Sequence, residues 1–155
     1  MFAPKRILVP TDFSKYSDRS LGEALDIAKQ HGSTVYLLHV VSVVQQCSVD
    51  YCIDPASMAE IEKQTNDRTS KMMTEQMEKF PESKSVMIIP DIRRGTPYEV
   101  ILKEQEDKNV DLIVIASHGT TGLLKHLLGS VAEKVSRSAK CPVLLIRADA
   151  DNKER

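Results

Sequence analysis

Four short runs of apolar, largely β-branched residues constrain this chain more than any other feature. They are Arg6-Ile-Leu-Val-Pro10, Thr34-Val-Tyr-Leu-Leu-His-Val-Val41, Asp111-Leu-Ile-Val-Ile-Ala116 and Pro142-Val-Leu-Leu-Ile-Arg147. A strand with one wet face alternates polar and apolar residues. These runs do not alternate, so both of their faces must be covered, as in parallel sheets sandwiched between helices. A weaker run, Lys84-Ser-Val-Met-Ile-Ile-Pro90, reads as a further strand, third in chain order.

Helical patterns fill the intervals. Ser14 stands as an N-cap, Leu21, Ala24, Leu25 and Ala28 recur at helical spacing, and Gly32 supplies the stop. From Ala56 to Phe80, Met58, Ile61, Met72, Met73, Met77 and Phe80 partly follow the same period, and Pro81 terminates it. These methionines read as a core seam, with an adaptable binding surface as the alternative. Gly95-Thr96-Pro97-Tyr98-Glu99 predicts a helix start with Thr96 as N-cap, Pro97 at the first position and Glu99 completing a capping box. Leu124, Leu127, Leu128, Val131 and Val135 form a stripe that Gly129 divides into two helical pieces.

The order is βα four times, closed by a strand. It predicts an α/β fold, a single doubly wound five-stranded parallel sheet with helices on both faces and strand order 3-2-1-4-5. Ligands of such sheets bind at the carboxyl ends of strands where the winding reverses. A reversal between the first and fourth strands brings Pro10-Thr11-Asp12 beside Ala116-Ser117-His118-Gly119.

At 155 residues the chain suits one domain, expected over residues 1–147 with a polar tail at 148–155. A net charge of -1 gives no electrostatic basis for binding nucleic acid or an anionic membrane. Cys47, Cys52 and Cys141 lack metal-ligand spacing and fit a reducing compartment, with Cys141 packing as a small hydrophobe. No signal-like segment precedes the first strand, and no apolar run approaches the roughly 20 residues that span a bilayer. A cytoplasmic protein is expected. His39 reads as a hydrogen-bonded core residue, Arg93 and Arg94 as solvated charges, and Ser42 to Pro55 as a surface loop or a flap over the strand ends.

The stretch from Ile113 to Val131 carries the chemistry. A strand feeds a glycine-bearing loop, and Gly129-Ser130 opens a helix, whose unpaired N–H groups form an anion site. Ser130-Val-Ala-Glu133 is equally a capping box that needs no ligand. His118 is a phosphate donor or closes a turn, and Lys125 and His126 screen phosphate or are solvated. There is no GxxxxGK[ST], GxGxxG or GxSxG sequence.

At these residues the chain resembles the universal stress protein family. The pieces that carry the resemblance run in order: Ile7 to Ser14, Leu37 to Val40, Gly95 to Pro97, Asp111 to Gly119, Leu127 to Val135 and Cys141 to Leu144. Nucleotide-binding members show G-x-x-G-x9-G-[ST]; here Ala116 replaces the first glycine, followed by Gly119, Gly129 and Ser130. The resemblance implies ATP, with Mg or Mn, as a regulatory ligand. It implies a backbone contact of Val40 to adenine, a base and ribose neighbourhood at Pro10, Thr11, Asp12 and Ala116, and phosphate contacts at His118, Gly119, Gly129, Ser130 and Val131. Asp12 can accept from ribose hydroxyls or serve as a turn residue.

Three functional readings follow. The first is a stress-response protein that binds ATP with slow or no hydrolysis. The second is a nucleotide-free dimeric interaction module of the same fold. The third is an ATP hydrolase, for which Asp12, His118 and Lys125 are the candidate groups. A homodimer is expected through the last strand, Val143 to Ile146, whose apolar edge needs cover and whose family counterparts pair this way.

Overall fold

The structure is a computed structural model that describes residues 1–42, 54–119 and 127–147. Expectations for Cys47, Cys52, Leu124, Lys125, His126, most of the segment after Ser42 and the tail at 148–155 lie outside those residues. Five strands, β1 (Arg6–Pro10), β2 (Thr34–Val41), β3 (Ile88–Arg94), β4 (Leu112–Ala116) and β5 (Val143–Ile146), form one parallel sheet in the order β3-β2-β1-β4-β5. The connecting helices are α1 (Lys15–His31), α2 (Pro55–Glu78), α3 (Pro97–Asp107) and α4 (Ser130–Ser138).

Alternate residues of each strand go to opposite faces, which explains the continuous apolar runs. Ile7, Val9, Leu37 and Val114 pack with Leu21 and Leu25 of α1 and Met73 of α2. Leu8, Leu38 and Ile113 pack on the other face with Ile101 of α3 and Val135 of α4. Burying each of these large side chains contributes about 2 kcal/mol before entropy is counted. Met73 and Met77 therefore belong to the core seam, whereas Ile61 is exposed. Among the described residues no helix is long and apolar enough to cross a membrane.

Helix α1 follows its sequence signals: Ser14 Oγ accepts from Ser17 N–H, and Gly32 takes a left-handed φ of 64° while its N–H reaches Ala28 O. Helix α2 departs slightly from expectation. Asp54 caps it and the chain leaves it before Phe80, whose ring lies 3.1 Å from where a Cβ on Gly22 would stand. A side chain at Gly22 would displace that ring.

Two expectations need correction. The third strand is Ile88–Arg94 and not Lys84 to Pro90; Lys84 ends a 3-10 turn spanning Pro81–Lys84. Pro90 sits inside the strand because β3 is an edge. Val35 N–H donates to Met87 O and Leu37 is opposite Pro90, so by alternation the missing N–H of Pro90 faces outward. The capping box of α3 is not made either. Thr96 and Pro97 hold their expected positions, but Thr96 makes no side-chain cap bond and Glu99 accepts from Tyr98 Oη.

Candidate functional site

The winding reverses between β1 and β4, which are adjacent, and a cavity of about 500 Å³ opens at their carboxyl ends. That volume lies in the usual range for small-molecule sites, about 300–1,000 Å³. All ten expected site residues line it: Pro10 at the end of β1 with Thr11 and Asp12 after it, Val40 on β2, Ala116 at the end of β4 with His118 and Gly119 after it, and Gly129, Ser130 and Val131 at the start of α4. Arg93 and Arg94 do not line it. Arg93 pairs with Asp91 and Glu104, and Arg94 contacts Asn66.

The floor comes from strand ends. The β1–β2 ladder closes with Pro10 opposite Leu38 and Thr11 N–H donating to Leu38 O at 2.8 Å. Backbone groups alternate in direction along a strand, so those of Val40 point the same way as those of Leu38, past the end of β1 and over the cavity. His39 is hydrogen-bonded as expected, but it is half-buried and lines the cavity instead of joining the core: Nδ1 lies 2.8 Å from Thr11 O, and because a carbonyl only accepts, Nδ1 carries the proton.

Asp12 lies in a tight turn. Its Oδ1 accepts from Ser14 N–H at 3.0 Å and Ser14 Oγ at 2.6 Å, so the capping serine of α1 also orients the carboxylate. Phe13 next to it has a left-handed φ of 62°, a costly conformation for a bulky residue, and its ring lies against His39 at 4.6 Å. The Thr11 hydroxyl is bonded within the fold: Oγ1 lies 2.9 Å from Gln76 Oε1 and 3.0 Å from Ser17 Oγ, and it accepts from Phe13 N–H. The Thr11 hydroxyl is thus tied to its neighbours in the fold, while the residue itself lines the cavity.

The opposite wall is β4 and α4. Ser117 is buried and its Oγ lies 2.9 Å from His118 Nδ1. Among the described residues, His118 Nε2 is the buried side-chain polar atom left without a hydrogen-bond partner. Gly129 N–H donates to Ser117 O at 2.7 Å, and a Cβ on Gly129 would stand 3.1 Å from that same oxygen. The Ser130–Glu133 capping box is absent. Gly129 occupies the N-cap position without a side-chain bond, Ser130 is the first helical residue, and Glu133 pairs with Arg137. The first bond of the helix runs from Glu133 N–H to Gly129 O, so the N–H groups of Ser130, Val131 and Ala132 precede it at the cavity wall.

Ser17, Gln76 and Ser117 were not among the expected residues. A serine inside a helix and a glutamine 65 positions from Thr11 carry no local signal. Among the described residues no group of three or more His, Cys, Asp or Glu could hold a metal ion. The arrangement offers backbone edges, a carboxylate and a helix N-terminus in succession, which suits an elongated ligand with an anionic end.

Known proteins resemble this chain in sequence and fold. The Universal stress protein MJ0531 of Methanocaldococcus jannaschii is 34% identical over 143 residues, covering 92% of this chain and 82% of the relative. The solved structure of the universal stress protein UspA from Lactobacillus plantarum superposes with a TM-score of 0.73 at 23% identity, covering 92% of this chain and 97% of that one. A universal stress protein solved in complex with cAMP superposes with a TM-score of 0.68 at 21% identity, covering 94% and 98%. The family model described as the Universal stress protein family matches residues 4–147, and the chain belongs to that family.

Proposed function

We propose that this chain is a cytoplasmic universal stress protein that binds ATP as a regulatory ligand, with slow or no hydrolysis. The observation that carries the reading is the start of α4, where among the described residues no side chain caps the helix and three N–H groups stand at the cavity wall. Uncapped donors at a helix N-terminus favour an anion. The triphosphate lies there, on Gly119, Ser130 and Val131, with His118 Nε2 as a further partner. Gly129 contributes closeness and not a donor, because its N–H is already used. Asp12 accepts from ribose, and the backbone of Val40 meets the adenine edge. The cAMP-bound neighbour supports only that this fold can hold an adenine nucleotide.

Magnesium or manganese would arrive with the phosphates and keep much of its water, since the described residues contain no cage for it. Asp12 Oδ1 is committed to Ser14, which favours binding over efficient phosphoryl transfer. A homodimer forms through β5. Ile113 N–H donates to Pro142 O with Ile113 opposite Val143, so the backbone groups of Val143 and Leu145 face the open edge. Proline blunts the other edge, at Pro90, but not this one. The domain is residues 1–147.

The alternative is a nucleotide-free dimeric module, favoured by the methyl of Ala116 in the cavity wall. One experiment separates the two. Freshly purified protein is denatured and its supernatant chromatographed for adenine nucleotide, and the melting temperature is followed with added ATP and magnesium. Released nucleotide or a rise in melting temperature supports binding; neither, at millimolar ATP, overturns it.

A further inference from the structure

Gln76 lies on α2, outside the cavity, and is 2% exposed. Its amide orientation follows from its neighbours. Asp18 Oδ1, 2.8 Å away, can only accept, so it receives Nε2–H, and Oε1 therefore faces Thr11. Thr11 has one hydroxyl proton and two acceptors in reach, Oε1 and Ser17 Oγ, and it goes to Oε1, the nearer one and a buried amide oxygen with no other donor among the described residues. The Thr11 lone pairs are then turned toward Phe13 N–H, 3.1 Å away, at the residue with left-handed φ. Lys79 completes the chain by binding Asp18 Oδ2 at 2.7 Å.

We infer that Gln76 is a positioning residue for the ligand site: by fixing the Thr11 hydroxyl it holds the Thr11–Phe13 turn and so presents the Asp12 carboxylate to the sugar hydroxyls of the bound nucleotide. This rests on the nucleotide reading above. Without Gln76 the Thr11 proton has only Ser17 Oγ as acceptor, the hydroxyl loses its anchor to α2 and can turn about Cα–Cβ away from Phe13 N–H, and a strained turn loses one of its restraints. Asp12 keeps its Ser14 partners but no longer a fixed backbone. A carboxylate offers about four lone-pair sites, so it serves Ser14 and a ribose together only while its position is set. The helix α2 is thereby coupled to sugar recognition although it touches no ligand.

The test uses full-length protein and the variants Gln76→Met and Thr11→Val, which keep shape and remove the hydrogen bond, with Thr11→Ser as the conservative control. Binding of ATP and of 2′,3′-dideoxy-ATP is measured by calorimetry. Wild type and Thr11→Ser are expected to prefer ATP by about tenfold, the scale of a hydrogen bond to a charged group. In Gln76→Met and Thr11→Val the preference falls below about threefold, whereas loss of stability alone would leave the ratio unchanged. In ligand-free protein, amide exchange at Phe13 and Ser14 is expected to accelerate in both variants while Leu21 to Leu25 stay protected. An unchanged ratio together with unchanged Phe13 exchange overturns the inference and leaves nucleotide binding standing. Wild type that binds neither nucleotide overturns the nucleotide reading and this inference with it.

Discussion

Gly119 approaches Asp12 so closely that a Cβ on the glycine would stand 2.9 Å from the carboxylate Oδ2. The contact joins the exit of β1 to the exit of β4, the two strands between which the winding reverses. Gly119→Ala forces the carboxylate to turn against its bonds to Ser14, at a cost of about 1 kcal/mol, and ATP affinity is expected to fall about tenfold. Denaturant unfolding and calorimetric titration measure the two effects separately.

Gly129→Ala meets a different obstacle. Its Cβ would stand 3.1 Å from Ser117 O, and a backbone oxygen cannot swing aside as a side chain does. A destabilisation of about 1–2 kcal/mol is expected, at least equal to that of Gly119→Ala, together with displacement of α4 from the cavity wall. Urea unfolding of the two variants side by side checks the order.

The two serines at helix starts should differ. Ser14 Oγ caps α1 and donates to Asp12, so Ser14→Ala is expected to cost about 1 kcal/mol. Ser130 is not the N-cap of α4 and makes no cap bond among the described residues, and Ser130→Ala is expected to stay within about 0.5 kcal/mol of wild type. Equal losses would mean that Ser130 caps α4 in solution.

Glu104 is the buried centre of a charge cluster. It accepts from Arg93 Nε at 3.0 Å and pairs with Lys108, while Asp91 pairs with the same two cations. Glu104→Ala leaves Arg93 and the largely buried Lys108 to share Asp91, and about 2 kcal/mol of stability should be lost. Arg93 is half exposed, which limits the effect. Thermal unfolding at two salt concentrations reads it.

Burial, with the charge of Asp111 nearby, pushes the Cys141 thiol up from its ordinary 9.0. Below that value the thiol is protonated in both folded and unfolded chains and contributes no pH dependence. Above it the unfolded chain releases its proton first, so stability falls as pH rises from the ordinary value to the folded one. Cys141→Ala is expected to lose that part of the alkaline decline. Stability of the variant and wild type from pH 7 to 10 provides the check.

The parallel sheet was legible because β1, β2, β4 and β5 are short, near-continuous apolar runs separated by helical patterns, which suits strands covered on both faces. The resemblance to the family's G-x9-G-S motif likewise implied that Gly119, Gly129 and Ser130 share a site, and all three line the cavity. The third strand was misread because Pro90 looks like a terminator, and only its outward direction at a sheet edge makes it compatible with β3.

What the sequence determined by itself is local: periodicity, turns, and the backbone conformations that glycine and proline permit. Whether Ser130 caps its own helix or leaves donors open was undecided there, because both uses need the same residues at the same spacing. Tertiary structure decided it by moving the helix start one residue back, to Gly129 packed on Ser117 O. It also decided that the Thr11 hydroxyl lies against Gln76, 65 positions away. A hydroxyl's direction depends on which acceptor the packed chain brings near, and no local pattern records that.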